Sequence, residues 1–213
     1  MTQTLSQLTD SLQALLNDDG TYFPDALCAA AIRQALKELN LAIPQHAAAT
    51  VEAVAEQYEY EFEESNALDI LDVLRQGTDT YADYNLSLDF DRYFEDDRPF
   101  FRLRSPEAEG QLLIIRYTAP YTINGLDGET DSSLPAFYDP VLLDGAAWQA
   151  CLVRASSRVE TLNFNADVIR QYQQLAEHFR ITFQNGLARL GQRKASVSEP
   201  DRRGWGDRWN GQH

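Results

Sequence analysis

The sequence predicts an α+β protein, mainly α. A four-helix core, two N-terminal and two C-terminal helices, carries an inserted small β subdomain and ends in an extended C-terminal tail. Three observations lead there. Apolar residues recur at helical spacing from Leu5 to Leu39, a period-2 alternation replaces that rhythm from Tyr58, and helical spacing returns after Asp139 and again after Asn165. The expected divisions are 1–54 and 126–190 for the helical core, 55–125 for the β subdomain and 191–213 for the tail.

Leu5, Leu8, Leu12, Leu15 and Leu16 share one helical face, and Asn17-Asp18-Asp19-Gly20 supplies a stop. Pro24 suits the first turn of a second helix and Asp25 favours its dipole, with Leu27, Ala31, Ala35 and Leu39 as the buried stripe as far as Asn40. In the middle region Tyr58, Tyr60 and Phe62 alternate with Glu59, Glu61 and Glu63, the pattern of a half-buried strand. Asp69–Arg75, Pro99–Arg104 and Leu112–Thr118 are further strands, and a loop with Asn124-Gly125, Asp127-Gly128 and Ser132-Ser133 closes the region. Asp139 can cap a third helix and Pro140 can start it. Its residues from Val141 to Val153 leave so little polar surface that burial nearly all round is expected. Asn165 caps a fourth, with Val168, Tyr172, Leu175, Phe179, Phe183, Leu187 and Leu190 in register, about 25 residues and roughly 37 Å long. Trp148, Leu152, Leu175 and Phe179 are the expected core between helices two, three and four.

Composition bounds the function. At 213 residues, 44% hydrophobic and 11% aromatic, the chain is long enough for a real core. Its 33 acidic and 18 basic residues give a net charge of −15, which disfavours wrapping a phosphate backbone. The charge is uneven: −19 over residues 1–150, +4 over 151–213, and −13 between Glu52 and Asp97. Sixteen of the eighteen basic residues are arginine, the side chain suited to interface ion pairs. The longest uncharged run, Leu39–Val51, is 13 residues and too short to span a membrane, and the first twenty residues have no signal-peptide pattern. Cys28 and Cys151 sit in apolar helical surroundings and read as reduced core residues of a protein made in the cytoplasm.

The motifs of catalysis are absent from the sequence. It has no phosphate-binding glycine loop, paired-histidine zinc motif, Cys-x-x-Cys or nucleophile elbow, so no cofactor or metal is expected. His46, His178 and His213 are scattered. Asp89, Asp91, Glu95, Asp96 and Asp97 cluster without the glycine and spacing of a calcium loop. Asp127, Glu129 and Asp131 have Ser132 where that loop needs glycine and Tyr138 in place of its closing glutamate, so a polar turn is expected. The last stretch has no core pattern yet carries Arg202, Arg203, Trp205, Arg208 and Trp209, residue types that dominate interface hot spots.

Several phrases resemble the phage head-to-tail adaptors, also known as connector or neck proteins. These are Asp18-Asp19-Gly20-Thr21-Tyr22-Phe23-Pro24-Asp25-Ala26-Leu27, Ala35-Leu36-Lys37-Glu38-Leu39 and Ser133-Leu134-Pro135, then Leu142-Leu143-Asp144-Gly145-Ala146-Ala147 and Cys151-Leu152-Val153-Arg154-Ala155. The resemblance, which covers most of 5–190, implies a non-enzymatic virion protein made in the host bacterial cytoplasm. It implies a homo-oligomeric ring, a dodecamer or near it, docked under the portal protein and joined to a further neck or tail protein. Double-stranded DNA would pass through the lumen without specific binding, and no membrane is involved. On that basis Arg202, Arg203, Trp205, Arg208 and Trp209 are expected to bind the portal, and Asp89, Asp91, Asp96 and Asp97 to face the channel and repel DNA. Two alternatives fit the acidic surface: a DNA mimic that inhibits DNA-binding enzymes, and a metal-dependent hydrolase built on Asp89–Asp97.

Overall fold

The computed structural model describes residues 3–64, 66–77, 86–95, 98–159 and 166–198. The chain divides into two compact units: a helical one, Met1–Ile43 with Thr122–His213, and a sheet unit, Pro44–Tyr121. The sheet unit therefore opens at Pro44 rather than at 55. The cause is a strand, Gln45–Glu52, in a stretch where alanine blurs the period-2 contrast on which a strand is recognised.

In the helical unit α1 spans Leu5–Leu15, α2 Asp25–Ala42, α3 Asp139–Val159 and α4 Ala166–Ser198, with a short 3-10 turn at Ala136–Tyr138. α1 starts where Thr4 and Gln7 form a reciprocal capping box, satisfying two N–H groups the first turn would leave unpaired. In the turn to α2 the Asp18 carboxylate accepts hydrogen bonds from the N–H groups of Gly20, Tyr22 and Phe23, the last at 2.7 Å. α2 buries Cys28, Ala31, Ile32, Ala35, Leu36 and Leu39. The glycine-rich loop after Thr122 is a staple. Asn124 accepts from the Leu5 N–H, Ser132 Oγ donates to the Gln3 carbonyl, and the Asp127 carboxylate holds Arg33 of α2 at 2.7 Å. That ion pair keeps the Asp127 carboxyl below the ordinary aspartate range and accounts for a polar turn at this place.

Two glycines let α3 and α4 approach closely. A Cβ on Gly145 would lie 2.8 Å from Phe183 and 3.0 Å from Ala35 of α2; one on Gly186 would lie 2.8 Å from Val141. Phe183, 1% exposed, fills the space that Gly145 leaves and meets the Trp148 ring 6.2 Å away.

Three expectations for these helices need correction. α3 is not buried all round: it hides Leu142, Ala146, Ala147, Ala150, Cys151 and Ala155 but exposes Leu152 (41%) and Val153 (50%). Leu152 and Leu175 (43% exposed) are not core, whereas Phe179 is buried and Trp148 half-buried. The buried stripe of α4 runs through Ile169, Ala176, Phe179, Phe183 and Leu190, and one residue is a 100° step, so seating Ala176 against the bundle turns Leu175 outward. Finally, α4 has 33 residues, roughly 50 Å, and runs through Gly191 to Ser198 instead of ending near 190. A helix-interior glycine costs only about 1 kcal/mol, and Arg189, Leu190, Gln192, Arg193 and Lys194 around it are good helix formers.

The sheet unit holds two antiparallel sheets. One has the order β1 (Gln45–Glu52), β7 (Leu112–Ala119), β3 (Asp69–Arg75), β4 (Leu86–Ser87); the other β2 (Glu59–Glu61), β6 (Arg98–Leu103), β5 (Phe90–Glu95). Ala53, Tyr60, Phe62, Ile70, Val73, Phe101, Leu103, Leu113, Ile115, Tyr117 and Ala119 form one buried cluster drawn from both. Tyr60 stacks on its cross-strand partner Phe101 at 5.1 Å within the second sheet, and Phe62 meets Tyr117 of the first sheet edge-on at 5.0 Å, a contact that joins the two.

Candidate assembly surfaces

On the face of the second sheet opposite the buried cluster, β6 places arginines between two acidic strands. Arg102 stands across from Glu59 and Asp91, and Arg98 across from Glu95. Arg98 reaches Glu61 at 2.6 Å, Arg102 reaches Glu59 at 3.7 Å and Arg104 reaches Asp91 at 3.8 Å. At the rim Arg92 bridges Asp69 at 2.6 Å and donates to the Ile70 carbonyl at 2.7 Å. Cross-strand pairs of this kind hold register while contributing little stability in open solvent. Of the residues expected to repel DNA, Asp89 and Asp91 are exposed, Asp91 beside Arg104; Asp96 and Asp97 lie outside the described residues. The unit as a whole carries 17 acidic and 6 basic residues, net −11 of the chain's −15, so its arginines moderate the acidity without cancelling it.

The helical unit offers a different surface. Leu152 and Val153 of α3 and Leu175 and Ile181 of α4 are 41–50% exposed. The two helices run antiparallel with Gly145 at Phe183 and Val141 at Gly186. Continuing that register by two turns brings Leu152 level with Leu175. Helical spacing alone predicts both in the core, since periodicity says which residues are apolar and not which of two apolar faces a neighbour covers.

Among the described residues no group of three or more His, Cys, Asp or Glu could hold a metal ion, and no helix is long and apolar enough to cross a membrane. Cys28 and Cys151 are both buried free thiols pushed up to about 11 by desolvation, with Asp25 and Asp18 adding to the shift at Cys28, so neither is a thiolate nucleophile at neutral pH. His178 stands on exposed helix surface, and His46 on β1. His213 and the tail residues Arg202, Arg203, Trp205, Arg208 and Trp209 lie outside the described residues.

The sequence profile of the SU10 adaptor proteins matches residues 3–204, nearly the whole chain. This chain belongs to the SU10 adaptor protein family. As a member of that family the adaptor is a structural protein and not an enzyme, as the resemblance implied. Among solved structures it is similar to a chain of the neck of an empty gene transfer agent particle computed with C6 symmetry. The identity is 12% and the TM-score 0.33, over 81% of this chain and 89% of that one. A chain from the virion of the native gene transfer agent particle gives 11% and 0.31 over 81% and 89%. One from the native neck computed with C12 symmetry gives 10% and 0.30 over 79% and 87%. No curated protein matches the adaptor in sequence.

Proposed function

We propose that the adaptor assembles as a closed ring, on the order of a dozen copies, that joins the portal to the next neck or tail protein and continues the DNA channel. The observation that carries this is the exposed apolar pair Leu152 and Leu175, level with each other on the antiparallel helices α3 and α4; a head-to-tail ring covers such a pair with the neighbouring copy. The acidic sheet unit then serves as a surface to which DNA does not adhere, because it releases no phosphate counterions on contact. The tail supplies the portal contact: Trp205 and Trp209 anchor in apolar pockets and Arg202, Arg203 and Arg208 pair with portal carboxylates. Each contact is weak, but a ring of tails binds through effective concentration.

The test is a Leu152→Asp, Leu175→Asp double variant, examined by native mass spectrometry with and without purified portal. The expected result is a folded monomer, with an unchanged circular dichroism melt, that forms no ring. A variant that still assembles with its partner into rings would return these residues to ordinary surface.

A further inference from the structure

We infer that the free edge of β1, over Ala48–Glu52, is a docking site for an extended basic segment of a partner protein, which joins the sheet as an additional strand. β1 is the outermost strand of its sheet. Ala53 donates its N–H to Gln111 and accepts from Gly110, so its main chain faces β7. Main-chain direction alternates along a strand, hence Val51, Ala49 and Ala47 also face β7, matching their partners Leu113, Ile115 and Tyr117. From the other side, Gln76 and Leu68 of the β3 region donate to Leu112 and Thr118, which leaves the odd-numbered β7 residues turned toward β1. Ala48, Thr50 and Glu52 thus present their N–H and C=O groups outward, and nothing among the described residues hydrogen-bonds to that side.

Natural sheets blunt such edges with very short strands, bulges, proline or charge. β4 has two residues and β2 three, while β5 carries Asp91, Arg92 and Glu95. β1 has eight residues in unbroken register with β7, no proline or bulge within it, and a single charged residue, Glu52, at its last position, so Ala47–Val51 carry no charge at all. An unblunted edge is what strand addition requires.

The groove beside the edge says which strand. About 300 Å³ in volume, it is lined by Ala49, Thr50 and Val51 on one side and Glu61, Phe62, Glu63 and Glu64 on the other. Glu61 is engaged by Arg98, but Glu63 and Glu64 are exposed and have no ion pair among the described residues. Small side chains on β1 leave room for a backbone to approach, and the glutamates complement arginine or lysine at alternate positions of the incoming segment. Main-chain hydrogen bonds would supply affinity and the glutamates the choice of sign.

The probe is a labelled eight-residue peptide alternating arginine with threonine or valine, titrated against the full chain by fluorescence anisotropy. A second peptide of equal charge has proline at each position whose N–H would face β1. The expected result is at least tenfold weaker binding of the proline peptide, slowed amide exchange at Ala48 and Thr50 on binding the first, and at least tenfold loss for Glu63→Lys with Glu64→Lys. Equal affinity for both peptides would show charge attraction without strand addition and overturn the inference, as would absence of binding or indifference to the double variant. Protection of Ala48 and Thr50 in the protein alone, rising with its concentration, would assign the edge to a second copy and equally overturn it. The comparison of the two peptides on the unaltered protein decides the matter even if the double variant unfolds.

Discussion

A Cβ added at Gly145 would press on the Phe183 ring at 2.8 Å and on Ala35 at 3.0 Å, so the buried ring must shift and Ala35 must give way to admit one methyl group. Gly145→Ala is expected to cost about 1–3 kcal/mol, the range for overpacking a close-packed core. Gly191→Ala meets nothing within 4 Å and should stabilise α4 by roughly 0.5–1 kcal/mol by replacing glycine within the helix. Urea unfolding of the two variants checks the pair; similar effects of one sign would remove the special role of Gly145. Asp144, beside it, tests electrostatics. Burial raises its carboxyl above the ordinary value, with His178 opposing the shift. A carboxyl raised in the folded state ionises more readily in the unfolded chain. Its contribution to stability is thus most favourable below the unfolded value of about 3.9 and is lost as pH rises through the folded one. Asp144→Asn should therefore be more stable than the parent at pH 7, and the gain should shrink as the pH falls toward 4. A gain that grew on acidification would contradict the assignment.

Elements were legible in proportion to their side-chain contrast. Asp69–Arg75 has the same bounds in sequence and structure because Ile70 and Val73 stand out among aspartates. Gln45–Glu52 escaped notice because Ala47 and Ala49 on the inner side hardly differ from Ala48 on the outer. β5 is not legible because its aromatic residues Phe90, Tyr93 and Phe94 do not alternate with Asp91, Arg92 and Glu95, so the period-2 contrast of a strand is missing. Leu152 and Leu175 are legible in the sequence as apolar helix residues and their exposure is not, because periodicity does not say which apolar face a neighbouring element covers. α4 also changes where the tail starts. Its helix continues to Ser198, so a deletion that tests portal docking should remove residues 199–213 and leave α4 whole. That deletion is expected to preserve the helical melt while abolishing portal attachment in a pull-down, and Trp205→Ala with Trp209→Ala should reproduce most of the loss. Attachment that survives both changes would remove the tail from the docking scheme.

Over the whole molecule, charge and fold divide along the same boundary, with −11 in the sheet unit and −4 in the helical unit. If the sheet unit keeps DNA from adhering, Asp89→Asn, Asp91→Asn, Asp96→Asn and Asp97→Asn together should raise DNA retention on adaptor-coated beads at low ionic strength, and 1 M salt, with a Debye length of roughly 3 Å, should erase the difference. Retention indifferent to the four changes would mean that the acidity serves something other than DNA passage. The adjacency of the sheet unit's two ends, Gln45 paired with Ala119, has a further consequence during synthesis. All strands of that unit are contiguous in the chain, whereas α1 and α2 need α3 and α4, which leave the ribosome about a hundred residues later. At ordinary translation rates of about 5–20 residues per second that interval lasts several seconds or more. The insert can thus close on itself first, while the two earliest helices, which bury Leu8, Leu12, Ile32 and Leu39 only in the finished bundle, wait as nascent chain with those faces open to chaperones.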